Sequence, residues 1–450
     1  MSGQAVRDIS VGNPSQVLLR FSLPLVLSGV FQQLYNIADS VVVGKFVGDN
    51  ALAAVGASYP IVMLFVALAM GSTTGSSVII SMYFGAKRWE EMKTSVSTVY
   101  LAAAILSAVC MAAGMLLCAP LMRLMNVPAE IFDQSLLYLR IYFLGLFFLF
   151  FYNSATSIFN GLGNSRTPLY FLIFSSLFNV ALDILLVAAF DLGVAGVAWA
   201  TFIAQGISAA LAMCYLFAKL KGIPAGPHPR FSVPILKKIS VLAIPNMLNM
   251  STVSIGQLLI QVLVNSYGPV VIAAYSSAIK IDSLFKIVIS SLSNAMTTFT
   301  AQNIGAKKLE RIDVGRKALC KVSILYAAAS YAFLFFLAPQ VMSLFVQDAS
   351  SQVVTIGTEY LREVAAFYLV FAFYMIHTGV LKGAGHVRAF LSIILIDLGL
   401  RVSFSYLLGS LQIGYSAIWW SIPIGWGVAM CIAIPLYRKG GWRKVNLIQR

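Results

Sequence analysis

Two carboxylates, Asp39 and Asp183, stand inside long apolar stretches, each with neutral oxygen-bearing side chains beside it at helical spacing. Gln32, Asn36 and Asp39 follow i, i+4, i+7, Asn179 and Asp183 are an i, i+4 pair, and Thr201 and Gln205 are another. Each set therefore shares one face of a helix. A charged side chain costs at least about 2.5–3.5 kcal/mol at mid-membrane unless it is paired, hydrated or near the surface, so both acids need a purpose. Carboxylate, amide and hydroxyl oxygens together suit a small cation, or protons, because two acids close together readily share one. The structural alternative has Asp39 reaching to the interface and Asp183 capping or pairing.

The second half of the chain offers a different inventory. Gln257, Gln261 and Asn265 form an amide stripe at i, i+4, i+8, in a helix without a carboxylate. Asp397 and Arg401 are spaced to pair, as are Asp282 and Lys286, whereas Lys280 has no partner close in sequence. The pairs read as internal salt bridges. Gln32, Gln257, Gln261, Asn265, Lys280 and Arg401 remain candidates to line a solute cavity.

The elements that carry these residues are membrane helices. Of 450 residues, 59% are hydrophobic and only 10% charged, against roughly 25% charged in soluble domains. Mean hydropathy is +0.86 with no polar block long enough for a separate domain. The apolar residues run in blocks of about twenty and do not alternate, which excludes an outer-membrane barrel. Blocks at about 16–44, 53–84, 95–118, 134–158, 168–190, 194–218, 238–265, 271–302, 318–338, 357–381, 389–410 and 414–437 predict twelve transmembrane helices in an all-α polytopic protein. The excess of Lys+Arg (31) over Asp+Glu (16) would suggest nucleic acid in a soluble protein. Here it collects in alternate connections, such as Lys87, Arg88 and Lys93 or Lys307, Lys308 and Arg311, and the positive-inside rule puts both termini in the cytoplasm. The polar N-terminus predicts no removable signal peptide. The five cysteines, without CxxC spacing, read as small core residues.

The two halves repeat. Pro24 matches Pro245 at an offset of 221, Gly85-Ala86-Lys87 matches Gly305-Ala306-Lys307 at 220, and Tyr138-Leu139-Arg140 matches Tyr360-Leu361-Arg362 at 222. Gly161, Gly163 and Arg166 match Gly383, Gly385 and Arg388, also at 222. Six helices per half is an even number, so the halves enter the membrane in the same sense, related by an axis along its normal. The predicted domains are an N-terminal six-helix lobe over 1–218, a proline-rich cytoplasmic linker over 219–237, and a C-terminal six-helix lobe over 238–450. Parallel lobes around a midplane site are a transporter architecture. At about 1.5 Å per residue from the outer helix ends, Asp39, Asp183, Thr201 and Asn179 come to roughly 8, 10, 12 and 16 Å, so groups from three helices can converge.

Several stretches carry a specific resemblance: PLVLSGVFQQLYNIADSVVVGKFVGDNALAAVG, YFGAK, NGLGNSRTP, SLFNVALDILL with GVAGVAWATFIAQ, and in the second half IAAYSSAIKI, QNIGAK and LKGAGHVR. The chain resembles, over essentially its whole length, the multidrug and toxic compound extrusion (MATE) family, in its bacterial DinF-like branch. The resemblance implies a secondary antiporter of the plasma membrane, with Na+ or H+ entering while an organic solute leaves as one lobe rocks against the other. It makes Asp39, Asn179, Asp183 and Thr201 similar to that branch's cation site, where Na+ could bind. Tyr138 resembles a polar neighbour, with Asn36 and Gln205 as further candidates, and Pro24 resembles the proline where the first helix bends. Other branches place an acidic ligand in the seventh helix, and this chain has none there. Subtracting the repeat offset sets Arg401 opposite Asn179, a fixed cation at the position of a cation ligand.

The expected partners are a small organic molecule and membrane lipids, with no nucleic acid, no cofactor beyond the coupling ion and no second copy of the chain. An enzyme is not expected, since there is no nucleotide-binding motif, no metal-ligand cluster, and His377 is the single intramembrane histidine. A major-facilitator carrier would have a Gly/Asp/Arg-rich loop where YFGAKRWEEMK stands. A lipid-linked-oligosaccharide flippase of the same larger superfamily, usually with extra helices, or an exporter of an anionic metabolite, are the alternatives.

Overall fold

The structure is a computed structural model that describes residues 8–46, 49–125, 127–344, 352–411, 414–445 and 447–448, without the side chains of 37–46, 49–52 and 188. Fourteen α-helices make up the described chain: α1 Pro14–Phe46, α2 Asp49–Gly85, α3 Trp89–Leu124, α4 Ala129–Leu144, α5 Leu146–Gly161, α6 Arg166–Ile184, α7 Gly193–Lys221, α8 Val233–Asn265, α9 Pro269–Gly305, α10 Glu310–Ser343, α11 Gln352–Ala365, α12 Tyr368–Gly383, α13 Val387–Ser410 and α14 Ser416–Arg438. Nine of these among the described residues are long and apolar enough to cross a membrane alone. The spans expected at 134–158 and 357–381 are instead bent pairs, α4 with α5 at 47° and α11 with α12 at 50°. Counting each bent pair as one span gives eleven among the described residues, and α9, of 37 residues, is as long but rich in Ser, Thr and Lys.

The bends are local backbone events. At the first, the Gly145 amide bonds the Tyr142 carbonyl at 3.0 Å; at the second, the Phe367 amide bonds Val364 at 3.1 Å. Both are tight i to i+3 contacts that break the α ladder, and Gly145 and Phe367 are 222 apart. Helix ends repeat in the same register. Lys87 and Lys307 close α2 and α9 with φ of 57° and 58°, and the next amides return to Tyr83 and Asn303 at 3.0 and 2.8 Å. Gly163 and Gly385 close α5 and α12 with φ of 75° and 76°, the following amides reaching Phe159 and Leu381 at 2.9 Å each. These are left-handed caps that satisfy terminal carbonyls; glycine takes the positive φ freely at Gly163 and Gly385, whereas Lys87 and Lys307 hold it at a steric cost.

Helices meet through small residues and hydroxyls, as bilayer packing favours. Between α2 and α5, Ser81 donates to the Gly161 carbonyl at 3.1 Å, and a Cβ on Gly161 would come within 3.0 Å of the Ser77 carbonyl. Between α9 and α12, Thr297 donates to Gly379 at 3.2 Å and Ser293 to Met375 at 2.6 Å. A Cβ on Gly383 would lie 2.3 Å from the Thr297 carbonyl.

The chain divides into two compact units, one from Phe31–Ser251 and the other from Ile9–Val30 with Thr252–Arg450. The divisions fall inside helices, so α1 and α8 each change unit partway along, and 219–237 lies within the first unit. There the Ser232 amide donates to Thr98 at 3.2 Å. In the first unit the α8 backbone lies against α2, where a Cβ on Gly71 would meet Met247 Cα at 2.6 Å and one on Gly75 the Ile239 carbonyl at 2.4 Å. In the second, a Cβ on Gly29 of α1 would meet Ile287 of α9 at 2.7 Å. Residues 9–12 are fastened to the same unit: Gln302 accepts from the Ile9 amide at 3.1 Å, and Lys308 and Arg311 donate to the Ser10 and Gly12 carbonyls at 2.9 and 2.7 Å. Three cysteines are buried as expected, but Cys214 and Cys431 are exposed. A thiol is apolar enough to face lipid.

Candidate functional site

The sequence points to α1, α6 and α7 of the first unit, and the structure brings α1 and α6 together through a residue that the sequence reading did not single out. Tyr35 of α1 donates its hydroxyl to the Asn179 amide oxygen of α6. Tyr35 stands three residues after Gln32 and four before Asp39, so it completes the same helical face, and that spacing was the signal available. Within α1 the Gln32 amide donates to the Asn36 amide oxygen at 3.2 Å. The Asp39 side chain lies outside the described residues. Pro24 sits inside α1, which runs through it as one helix, and Ser28 donates to the Pro24 carbonyl at 2.8 Å.

Asn179 and Asp183 are both buried on α6. Two residues after Asp183 the helix widens into a π turn over Leu185–Ala189. Such turns shift the backbone carbonyls out of the regular ladder and recur at functional sites, and no propensity or periodicity marks this one. α6 packs against α7. There the Thr201 hydroxyl donates to the Val197 carbonyl at 3.1 Å, so its proton is spent within α7 and its oxygen can act as an acceptor. α7 also packs on α4, and Gln205 is hydrogen-bonded to Tyr142 at the α4–α5 bend. Tyr138 is buried and stacks on Tyr142 at 6.1 Å. Asn36, Tyr35, Asn179, Asp183, Thr201 and Tyr138 therefore come from four helices of one unit. The set holds one described carboxylate, two amides and hydroxyls, the donor chemistry of a hard cation.

The second unit holds a polar centre of another kind. Asp282 of α9 is fully buried and accepts from Lys286 Nζ at 2.6 Å, Tyr360 at 3.0 Å and Tyr368 at 2.8 Å. The two tyrosines flank the α11–α12 bend. Arg401 Nη2 lies 3.3 Å from Asp397 Oδ2 on α13, so both spaced pairs form. Lys286 also lies 5.9 Å over the Trp426 ring. Tyr360 occupies the position equivalent to Tyr138, yet it serves a carboxylate on α9 that the first unit does not repeat. Of the amide stripe, Gln257 and Asn265 are exposed, and Gln261 donates to Asn265 at 2.8 Å. Lys280 is exposed. His377 is held by packing, with Nδ1 2.7 Å from the Phe373 carbonyl and Nε2 3.5 Å from Arg316.

A family model described as MatE matches the chain twice, over residues 24–185 and 245–407, and the two stretches keep the repeat register found in the sequence. The probable multidrug resistance protein YpnP of Bacillus subtilis (strain 168) is 29% identical over 447 residues, covering 98% of each chain. The multidrug export protein MepA of Staphylococcus aureus (strain NCTC 8325 / PS 47) is 20% identical over 412 residues, covering 91% of this chain and 90% of its own. Among solved structures, the outward-facing conformation of a multidrug resistance MATE family transporter of the MOP superfamily aligns with a TM-score of 0.89 at 26% identity, over 96% of this chain and 97% of that one. A MOP superfamily transporter from Pyrococcus furiosus Vc1 (DSM3638), whose binding pocket is described as reversed in polarity and suggestive of a different function, aligns with a TM-score of 0.90 at 26% identity, over 99% of each chain.

Proposed function

The chain belongs to the MatE family of transporters, and from that premise we propose that it exports organic solutes across the cell membrane in exchange for an entering cation, Na+ or H+. The relatives named for multidrug resistance and export support efflux as the direction. The observation that carries the coupling is the burial of Asp183 and Asn179 on α6, beside the π turn, with Tyr35 of α1 bonded to Asn179. A buried carboxylate among neutral oxygens is costly when ionised and empty, and less so with a proton or Na+ bound. Occupancy of the site therefore changes the free energy of the helices that surround it, which is what coupling requires.

Na+ would take carboxylate oxygens of Asp39 and Asp183 with oxygens of Asn179 and Thr201. The Asn179 oxygen is engaged by Tyr35, so ion entry and release of that hydrogen bond compete. H+ would need only the acids. The two units, with both chain termini on the cytoplasmic side, would alternate access to the solute. The test is solute efflux from proteoliposomes under an imposed Na+ gradient and, separately, an imposed H+ gradient. Uphill solute movement driven by one of them is expected, and none under either refutes antiport.

A further inference from the structure

Lys280 stands eleven residues into α9, about 17 Å along a helix of 37 residues. Its face is unusual for a span. Ala273, Lys280, Ile287 and Asn294 recur every seven residues, flanked by Ser276, Ser277, Ser283 and Ser291, and Ala273, Lys280 and Asn294 are exposed. Among the described residues of α9, Val270 in the first turn is the one large apolar side chain that is exposed. A lipid-facing helix looks different: α10 exposes Ile324, Leu325, Phe336 and Leu337. Such a stripe suits water better than lipid, since an ammonium in hydrocarbon would cost several kcal/mol. One part of it, at Ile287 and Ser291, takes Gly29 of α1. Two turns further toward the helix N-terminus, Lys280 is exposed.

The acids of this unit's interior are hidden by contrast. The side chain of Asp282 is 0% exposed against 23% for its partner Lys286, and that of Asp397 is 10% exposed against 17% for Arg401. Among the described residues no ion pair is made by Lys280. We propose that Lys280 is the solute-recognition charge on the hydrated face of this unit, and that the solutes it selects carry an anionic group such as a carboxylate or sulfonate. The inference rests on the transporter reading above and names the chemistry of its cargo.

The test reads binding at equilibrium, without any ion gradient. Carboxyfluorescein as the anion and tetraphenylphosphonium as the cation are titrated calorimetrically into the full-length protein in phosphatidylcholine nanodiscs. The wild type is expected to prefer carboxyfluorescein. Lys280→Gln should weaken that binding about tenfold, or 1.4 kcal/mol, Lys280→Arg should retain it, and Lys280→Glu should reverse the preference. A wild type that binds tetraphenylphosphonium more tightly, one that binds no carboxyfluorescein, or an unchanged ratio in Lys280→Gln overturns the assignment. Intact charge preference with no coupled transport in proteoliposomes would refute the antiporter and leave Lys280 in its role.

Discussion

Replacing Asp282 with alanine removes the one acceptor shared by Lys286, Tyr360 and Tyr368. Breaking a buried ion pair from one side costs about 3–5 kcal/mol, and each hydroxyl left without an acceptor adds about 1–3 kcal/mol. Lys286 is partly exposed and can turn toward water, and contributions within one network do not add, so the low end of the sum applies, about 5 kcal/mol. With unfolding entropy near 2 cal/mol/K per residue, that corresponds to a melting midpoint lowered by about 5–10 °C. Intrinsic fluorescence of the detergent-solubilised protein would report it, since Trp426 lies beside Lys286. Asp282→Asn keeps one acceptor oxygen and should lose about half as much. Asp282→Leu combined with Lys286→Met removes both charges and should recover most of the loss. If Asp282→Ala melted within about 2 °C of wild type, the carboxylate would not be holding the α11–α12 bend, and the reasoning fails.

Asp39→Asn and Asp183→Asn should each abolish ion-coupled efflux while leaving the protein inserted and folded, because the volume barely changes and the charge is lost; wild-type coupling in either variant removes that acid from the site. Tyr35→Phe removes a hydroxyl that competes for the Asn179 oxygen and should tighten ion binding by about 3–10-fold, the worth of one hydrogen bond, whereas weaker binding would make the Tyr35 hydroxyl a ligand. Arg401→Ala should lower stability by about 3 kcal/mol, partly restored by adding Asp397→Ala. Unchanged stability with a shifted solute preference would reassign Arg401 from its partner to the solute.

Much of the architecture could be read from residue types alone, because the duplication writes many of its features twice. The caps at Lys87 and Lys307, and at Gly163 and Gly385, were legible as matched GAK and GxG segments. The i, i+4 salt bridges of α9 and α13 were legible from helical spacing. The bends were not. Gly145 is a weak sign by itself, and its equivalent is Phe367, a residue without any helix-breaking property. Tertiary packing sets the second bend, with Tyr360 and Tyr368 on either side of it turned to one carboxylate. Tyr35 escaped notice because a tyrosine on an apolar helix usually packs. The change of unit within α1 and α8 was hidden for another reason: a helix that continues through Pro24 or Pro245 carries no local mark of which neighbours it will meet on each half.

That mid-helix change has a consequence for ancestry. A duplicated gene implies a progenitor with six helices, and in such a progenitor the first helix would begin in one body and end in another. The progenitor could complete its core only by trading helix segments with a second copy of itself, as domain-swapped dimers do. Fusion of two such copies would turn an exchange between molecules into one within a single chain. It would also leave each half incomplete by itself, since residues 1–218 alone lack the Ile239–Met247 backbone that fills the glycine groove of α2, and residues 238–450 alone lack the Gly29 that meets the Ile287 face of α9.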